Sequence, residues 1–153
     1  MHLEGEFHVG RNRDDVFNFL TDPKQFAPLL PGFEGMTIQN DRQFTVNVKV
    51  GISHIRGTAS VQLELIEAER PRRAVYQGKG SVSGGTVNLT ASFDLADLGN
   101  ETQVNWKADA QLFGRLISIA GGLLEPLAKK NMQKLIGGLQ TALGMIVDKP
   151  EDR

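Results

Sequence analysis

Residues 112–147, LFGRLISIAGGLLEPLAKKNMQKLIGGLQTALGMIV, decide the fold, because at Leu112 the apolar repeat changes from two to three and four. Phe113, Leu116, Ile117, Ala120, Leu124, Leu127, Ala128, Leu135, Leu139, Ala142 and Ile146 share one helical stripe, opposite Arg115, Ser118, Glu125, Lys129, Gln133 and Gln140. Upstream, from Phe33 to Gln111, the alternation is that of strands. Phe44, Val46, Val48 and Val50 are followed by Ile55 to Leu65, Val87 to Leu95 and Val104 to Ala110, each interleaved mainly with polar residues. Short links such as Asn40-Asp41, Arg70-Pro71, Ser83-Gly84-Gly85 and Gly99-Asn100 predict antiparallel neighbours in a meander, one face core and the other solvent. As one straight helix, 112–147 would be about 54 Å long, against about 34 Å for the width of seven strands. A break near Gly121-Gly122 and Pro126 is therefore expected.

The N-terminal segment begins with the same alternation. Leu3, Gly5, Phe7 and Val9 oppose His2, Glu4, Glu6 and His8, a strand with one wet face. Asn12 is placed to cap a helix with Asp14 and Asp15 in its first turn and Val16, Phe17 and Leu20 as its apolar positions. Asp22-Pro23 opens a second short helix that stops at Pro31-Gly32. The fold class is thus α+β: a curved antiparallel sheet of about seven strands around a long C-terminal helix, with two short helices after strand one. Residues 1–148 form a single domain and 149–153 a loose tail.

Composition excludes several functions. The 153 residues contain 17 Lys+Arg, 18 Asp+Glu and no Cys, for a net charge of −1. There is no basic excess for nucleic acid and no thiolate for a metal site, nucleophile or disulfide. The longest uncharged, mainly apolar stretch, Leu135–Val147, has 13 positions, short of the roughly 18 needed to cross a bilayer. The N-terminus lacks the cationic and apolar segments of a secretory signal, so a cytoplasmic chain is expected. His2 and His8 share a face with Glu4 and Glu6 at a spacing compatible with metal, but on a solvent face at the chain end, and no metal site is expected. Asp14 and Asp15 serve the helix start. Gly78-Lys79-Gly80 lacks the following helix of a phosphate loop. His54 has no predictable partner. No nucleophile with its base falls on the inner face, so no catalytic residue is assigned.

Residue size on the inner face carries the functional reading. Gly57, Ala59, Gly78, Gly80, Ala91, Ala108 and Ala110 face helix positions that are themselves small, Ala120, Gly121, Gly122 and Ala128. Either an apolar void results, one that a ligand would fill, or the sheet curls at its glycines and closes the gap. Phe26, Leu29, Leu30, Pro31 and Phe33 form an apolar cluster on a loop, a gate to such a void or a plug in its end. Tyr76 and Trp106, the only Tyr and Trp, sit at inward positions, where they can contact a ligand or serve as core. Asn131 interrupts the helical stripe and can meet either a ligand polar group or a backbone carbonyl.

Together, Leu20-Thr21-Asp22-Pro23, Leu30-Pro31-Gly32-Phe33-Glu34, the Gly57-Thr58-Ala59 strand ending at Arg70-Pro71-Arg72-Arg73, Gly78-Lys79-Gly80 before Ser83-Gly84-Gly85, and the amphipathic last helix resemble the carbon monoxide dehydrogenase G-subunit family. The resemblance runs from about Leu3 to Ile146. It implies a helix-grip, START-like fold and a non-enzymatic accessory role beside a molybdenum CO dehydrogenase or related oxidoreductase, at the inner face of the cell membrane. The ligand that role favours is a prenylated quinone or other lipid, with no covalent cofactor. The candidate lining is Leu20, Phe26, Leu30 and Phe33 near the loop; Ala59, Tyr76, Gly78, Trp106 and Ala108 on the sheet; and Leu116, Ile117, Ala120, Leu124, Ala128 and Asn131 on the helix. Lys129, Lys130 and Lys134 are the candidate membrane contacts, or else a solvated face. The alternative is a cyclase or hydratase of the same fold acting on aromatic or polyketide substrates.

Overall fold

The computed structural model describes residues 1–52, 55–82 and 84–144, with backbone alone at positions 52, 55 and 115–123. His54 and the 149–153 tail therefore lie outside the described residues. The chain folds as β1 (His2–Val9), α1 (Arg13–Leu20), α2 (Pro23–Phe26) running into a 3-10 turn, β2 (Phe33–Ile38), β3 (Gln43–Ile52), β4 (Ile55–Glu69), β5 (Arg73–Val82), β6 (Gly85–Asp97), β7 (Thr102–Gly114) and α3 (Arg115–Leu143). All pairs are antiparallel, in the order β1-β7-β6-β5-β4-β3-β2, so β1 and β2 are the edge strands. β2 has six residues and a register shift between Phe33 and Gly35.

The caps form as the sequence dictates. Asp15 N donates to Asn12 Oδ1 at 2.9 Å and Lys24 N donates to Asp22 Oδ1 at 3.1 Å, with Pro23 in the first turn of α2. α1 buries Val16, Phe17 and Leu20. Gly114, with φ of 69°, turns β7 into α3 beside the β5–β6 link; a Cβ there would lie 2.8 Å from the carbonyl oxygen of Gly84.

The expected break at Pro126 is absent: α3 is one helix of 29 residues with Pro126 inside it. The expectation set helix length against the wrong dimension. α3 leaves the end of β7 and finishes where Gly10 N donates to Gly144 O at 2.7 Å, next to the Val9–Thr102 pair at the start of β7. It therefore runs back along the strands instead of across them. Its length of about 44 Å matches the roughly 43 Å of a 13-residue strand such as β7. The helix also begins at Arg115, because Leu112 to Gly114 extend β7.

The filled core sits at one end of the sheet. Phe7, Val9, Val104 and Leu95 from the sheet meet Val16, Phe17 and Leu20 of α1, Ala27, and Leu139 and Leu143 of α3. Phe26, Phe44 and Tyr76 form an aromatic cluster there, with ring centroids 5.5–6.0 Å apart. The Tyr76 hydroxyl donates to the Leu20 carbonyl at 2.7 Å and locks α1 onto the sheet. Burial, with a smaller contribution from Asp22, holds this phenol neutral well above its usual range. Tyr76→Phe is expected to lower stability by about 1–2 kcal/mol by orphaning that carbonyl. The pH dependence has a definite sign. The unfolded chain loses the Tyr76 proton near pH 10 while the folded chain keeps it, so stability falls as pH rises above about 10. Urea titrations between pH 7 and 11 should show this component of the fall in the parent and not in the Phe variant.

Candidate functional site: an apolar cleft between sheet and helix

Burial changes along the strands. At the α1 end the inward residues are closed off, but toward the hairpin tips they are only half-buried. This holds for Val48 and Val50 on β3, Val61 and Leu63 on β4, Val82 on β5, Val87, Leu89 and Ala91 on β6, and Ala108, Ala110 and Leu112 on β7. Facing them, α3 presents Leu124, Ala128, Asn131 and Leu135, also half-buried, whereas Leu139 and Leu143 further along are fully packed. Val50, Val82, Val87, Leu112 and Leu124 form a separate apolar group at the tips. Among the described residues, sheet and helix thus part into an apolar, water-accessible cleft toward the end remote from α1.

The candidate residues divide between the two ends. Leu20 is core, and Phe26, Leu30 and Phe33 are half-buried side chains packed against the core. That packing sets the Leu30–Phe33 loop against the core at the α1 end. Tyr76 belongs to the same end, its hydroxyl already used. Trp106 lies at the boundary, Ala108 is above it, and Leu124, Ala128 and Asn131 are on the opposite wall. Ala59 is buried on β4. The side chains of Leu116, Ile117 and Ala120 lie outside the described residues. The rim valines and Leu112 were not in the candidate lining, although the alternation that placed Ala108 inward places them inward too.

Part of the space left by small residues is filled from beside, by cross-strand neighbours. A Cβ on Gly78 would stand 2.8 Å from Leu63 Cδ2 and 3.1 Å from Leu89 Cδ1; one on Gly80 would stand 3.1 Å from Val61 and Val87. Gly5 makes room for the indole of Trp106, whose Cζ2 would lie 3.0 Å from a Cβ there. Trp106 is 7% exposed, and its Nε1 is buried without a hydrogen-bond partner among the described residues.

The polar clusters have structural explanations. His2 is hydrogen-bonded to Glu4 at 2.8 Å and Asp109 at 2.6 Å on the exposed edge, and these carboxylates, Glu4 first, raise its pKa. No group of side chains suited to a metal occurs among the described residues. Gly78-Lys79-Gly80 lies within β5. Arg73 pairs with Asp94 at 2.8 Å and Glu67 at 3.2 Å. Two surface grooves of about 330 and 500 Å³ flank Gln77–Lys79. They are lined mainly by outward residues such as Gln62, Glu64, Asn88 and Asp109. Lys129, Lys130 and Lys134 are exposed on α3, with Lys129 Nζ 3.5 Å from Glu125. No helix among the described residues is long and apolar enough to cross a membrane.

A curved antiparallel sheet gripping one long helix is the START-like, helix-grip fold, and solved structures agree on it. A conserved protein from Geobacillus kaustophilus superposes with a TM-score of 0.83 at 18% identity, covering 94% of this chain and 95% of its own. A START superfamily protein from Mycobacterium smegmatis gives 0.72 at 13% identity, covering 95% and 99%. The Zhui aromatase/cyclase from a Streptomyces species gives 0.69 at 18% identity, covering 94% and 93%. At such identities the likeness shows the fold alone. A comparison with curated proteins found no match. The family model for the carbon monoxide dehydrogenase G-subunit, CoxG, matches residues 5–144, and the chain belongs to that family.

The glycine contacts yield a direct test of the packing. Gly5→Ala should cost about 1–3 kcal/mol in urea denaturation, because the rigid indole cannot yield, and should shift the Trp106 emission. Gly78→Ala should cost less, since the ends of Leu63 and Leu89 can rotate away.

Proposed function

We propose that this chain is a non-catalytic accessory subunit that holds a neutral apolar molecule, a prenylated quinone or other lipid, in the cleft between sheet and α3. It does so beside a molybdenum CO dehydrogenase or related oxidoreductase, at the cytoplasmic surface of the membrane. The observation that carries this is the run of half-buried apolar side chains on both walls of the cleft, surface that water favours burying in a ligand. Family membership supports the partner. Among the described residues, the inward positions of the cleft carry no carboxylate, imidazole or amine, which favours carriage over the acid–base chemistry of a cyclase. The lysines of α3 supply positive charge for anionic lipid. Among the described residues, Lys130 and Lys134 have no ion pair within 4 Å, unlike Lys129.

Two measurements test this. Native mass spectrometry of the parent exposed to long-chain quinone or phospholipid should show a one-to-one adduct. Ala108→Leu, at a half-buried position, should keep the fold and lose the adduct; an undiminished adduct would place the ligand elsewhere. In flotation with vesicles containing phosphatidylserine, the double change Lys130→Glu and Lys134→Glu should reduce association at least about tenfold at low salt, since each lysine contributes about 1 kcal/mol near an anionic surface. Raising the salt should erase the difference. Equal flotation of parent and variant would remove the membrane role from this face.

A further inference from the structure

We propose that Asn131 of α3 reads the head of the ligand in the cleft: its carboxamide pairs with a neutral head oxygen, donating to a carbonyl and accepting from a hydroxyl, so that the quinone and quinol forms of one carried molecule are held alike. This rests on the reading of the cleft as a carrier site, and adds to it a head-group chemistry and the residue that selects it.

The helix sets the position of this side chain. Between Leu124 and Asn131 the half-buried residues are Leu124, Leu127, Ala128 and Asn131, while Glu125, Pro126, Lys129 and Lys130 are exposed. Asn131 is the one polar side chain on that half-buried stretch. Gly138, seven residues on and so on the same face, is where Leu29 packs, 3.6 Å from a Cβ placed there. The face that carries Asn131 is therefore turned toward the protein, about 12 Å along the helix from the fully packed Leu139.

Its amide is unpaired. Tyr76 donates to the Leu20 carbonyl, Thr102 to that of Arg11, and Gln140, further along α3, to that of His8. Among the described residues Asn131 has no such partner, so a backbone carbonyl is not what it serves. Unlike the enclosed indole nitrogen of Trp106, neither of its amide atoms is shut off from water, and a ligand atom can take the place of that water. The inward sheet positions Val61, Leu63, Leu89, Ala91, Ala108 and Ala110 offer the amide only carbon. No cation lies on these half-buried walls among the described residues, so a carboxylate or phosphate head would be buried unpaired. A carboxamide holds an acceptor and two donors and exchanges them by turning about its last torsion. A quinone oxygen only accepts; with two electrons and two protons added, each becomes a hydroxyl that also donates. A side chain limited to accepting would hold only the quinol, and one limited to donating would leave the quinol proton unpaired, whereas an amide meets both.

Three probes test this by calorimetric titration of the delipidated protein: dodecyl-1,4-benzoquinone, its quinol kept under argon, and dodecylbenzene. The parent is expected to bind quinone and quinol within about threefold of one another, and each about tenfold more tightly than dodecylbenzene. Asn131→Leu should abolish both preferences. Asn131→Asp, of the same shape but able only to accept, should keep the preference for quinol and lose that for quinone, a split that a merely structural role would not produce. If a variant does not fold, the parent still decides: the side-chain N–H signals of Asn131 should move downfield with quinone and not with dodecylbenzene. A parent that prefers neither or only one of the oxygenated probes, preferences undiminished in the Leu variant, an Asp variant that holds quinone as the parent does, or amide signals unmoved at saturating quinone would each overturn the inference while leaving an apolar carrier intact. Binding of none of the three probes would remove the carrier reading as well.

Discussion

One geometric mismatch governs this molecule: a single helix about 10 Å wide lies along a seven-stranded sheet whose width is about 34 Å if flat. The sheet must curl, and even curled it cannot be covered evenly. α1, α2 and the 3-10 turn make up the deficit at one end, where Val16, Phe17, Leu20 and Ala27 lie in the main core. At the hairpin tips no described element plays that part. The filled core and the open cleft are therefore two outcomes of one shortage of covering surface, divided by where the short helices happen to lie.

The helix is fastened to match. Its C-terminal part is held by the Gly10–Gly144 hydrogen bond, by Gln140 Nε2 donating to the His8 carbonyl at 3.0 Å, and by Leu139 and Leu143 in the core. Toward its start, the described contacts involve half-buried side chains. Among the described residues of α3, opening a cleft beside these half-buried side chains sacrifices less apolar contact than it would at Leu139 and Leu143.

Much of this was legible in the sequence because it depends on local physics. The two-residue alternation, the caps at Asn12 and Asp22 and the switch to a helical period fix the elements without reference to neighbours. The inward placement of Gly78, Trp106 and Ala108 follows from the same alternation. What could not be read was longitudinal. Periodicity tells which face of the sheet a residue occupies but not how far along it the covering helices reach, so the packing of Phe26, Leu30 and Phe33 against the core beside α1 could not be read from it. The direction of α3 was hidden for the same reason. Its passage through Pro126 needed the alignment with β7, and the empty donor of Trp106 needed the position of every nearby acceptor.

The two edge strands have a consequence for the life of the molecule in solution. An unclosed sheet with an apolar cleft is vulnerable to adding a foreign strand along its margin and from there to stacking into aggregates. Here one margin carries the exposed His2, Glu4, Glu6 and His8, so a second copy laid against β1 would bring ionisable groups into register with its own. The other margin is only six residues long and is kinked by the shift between Phe33 and Gly35. Neither offers a long flat template, so the protein can keep a greasy interior accessible without inviting its neighbours to polymerise along it.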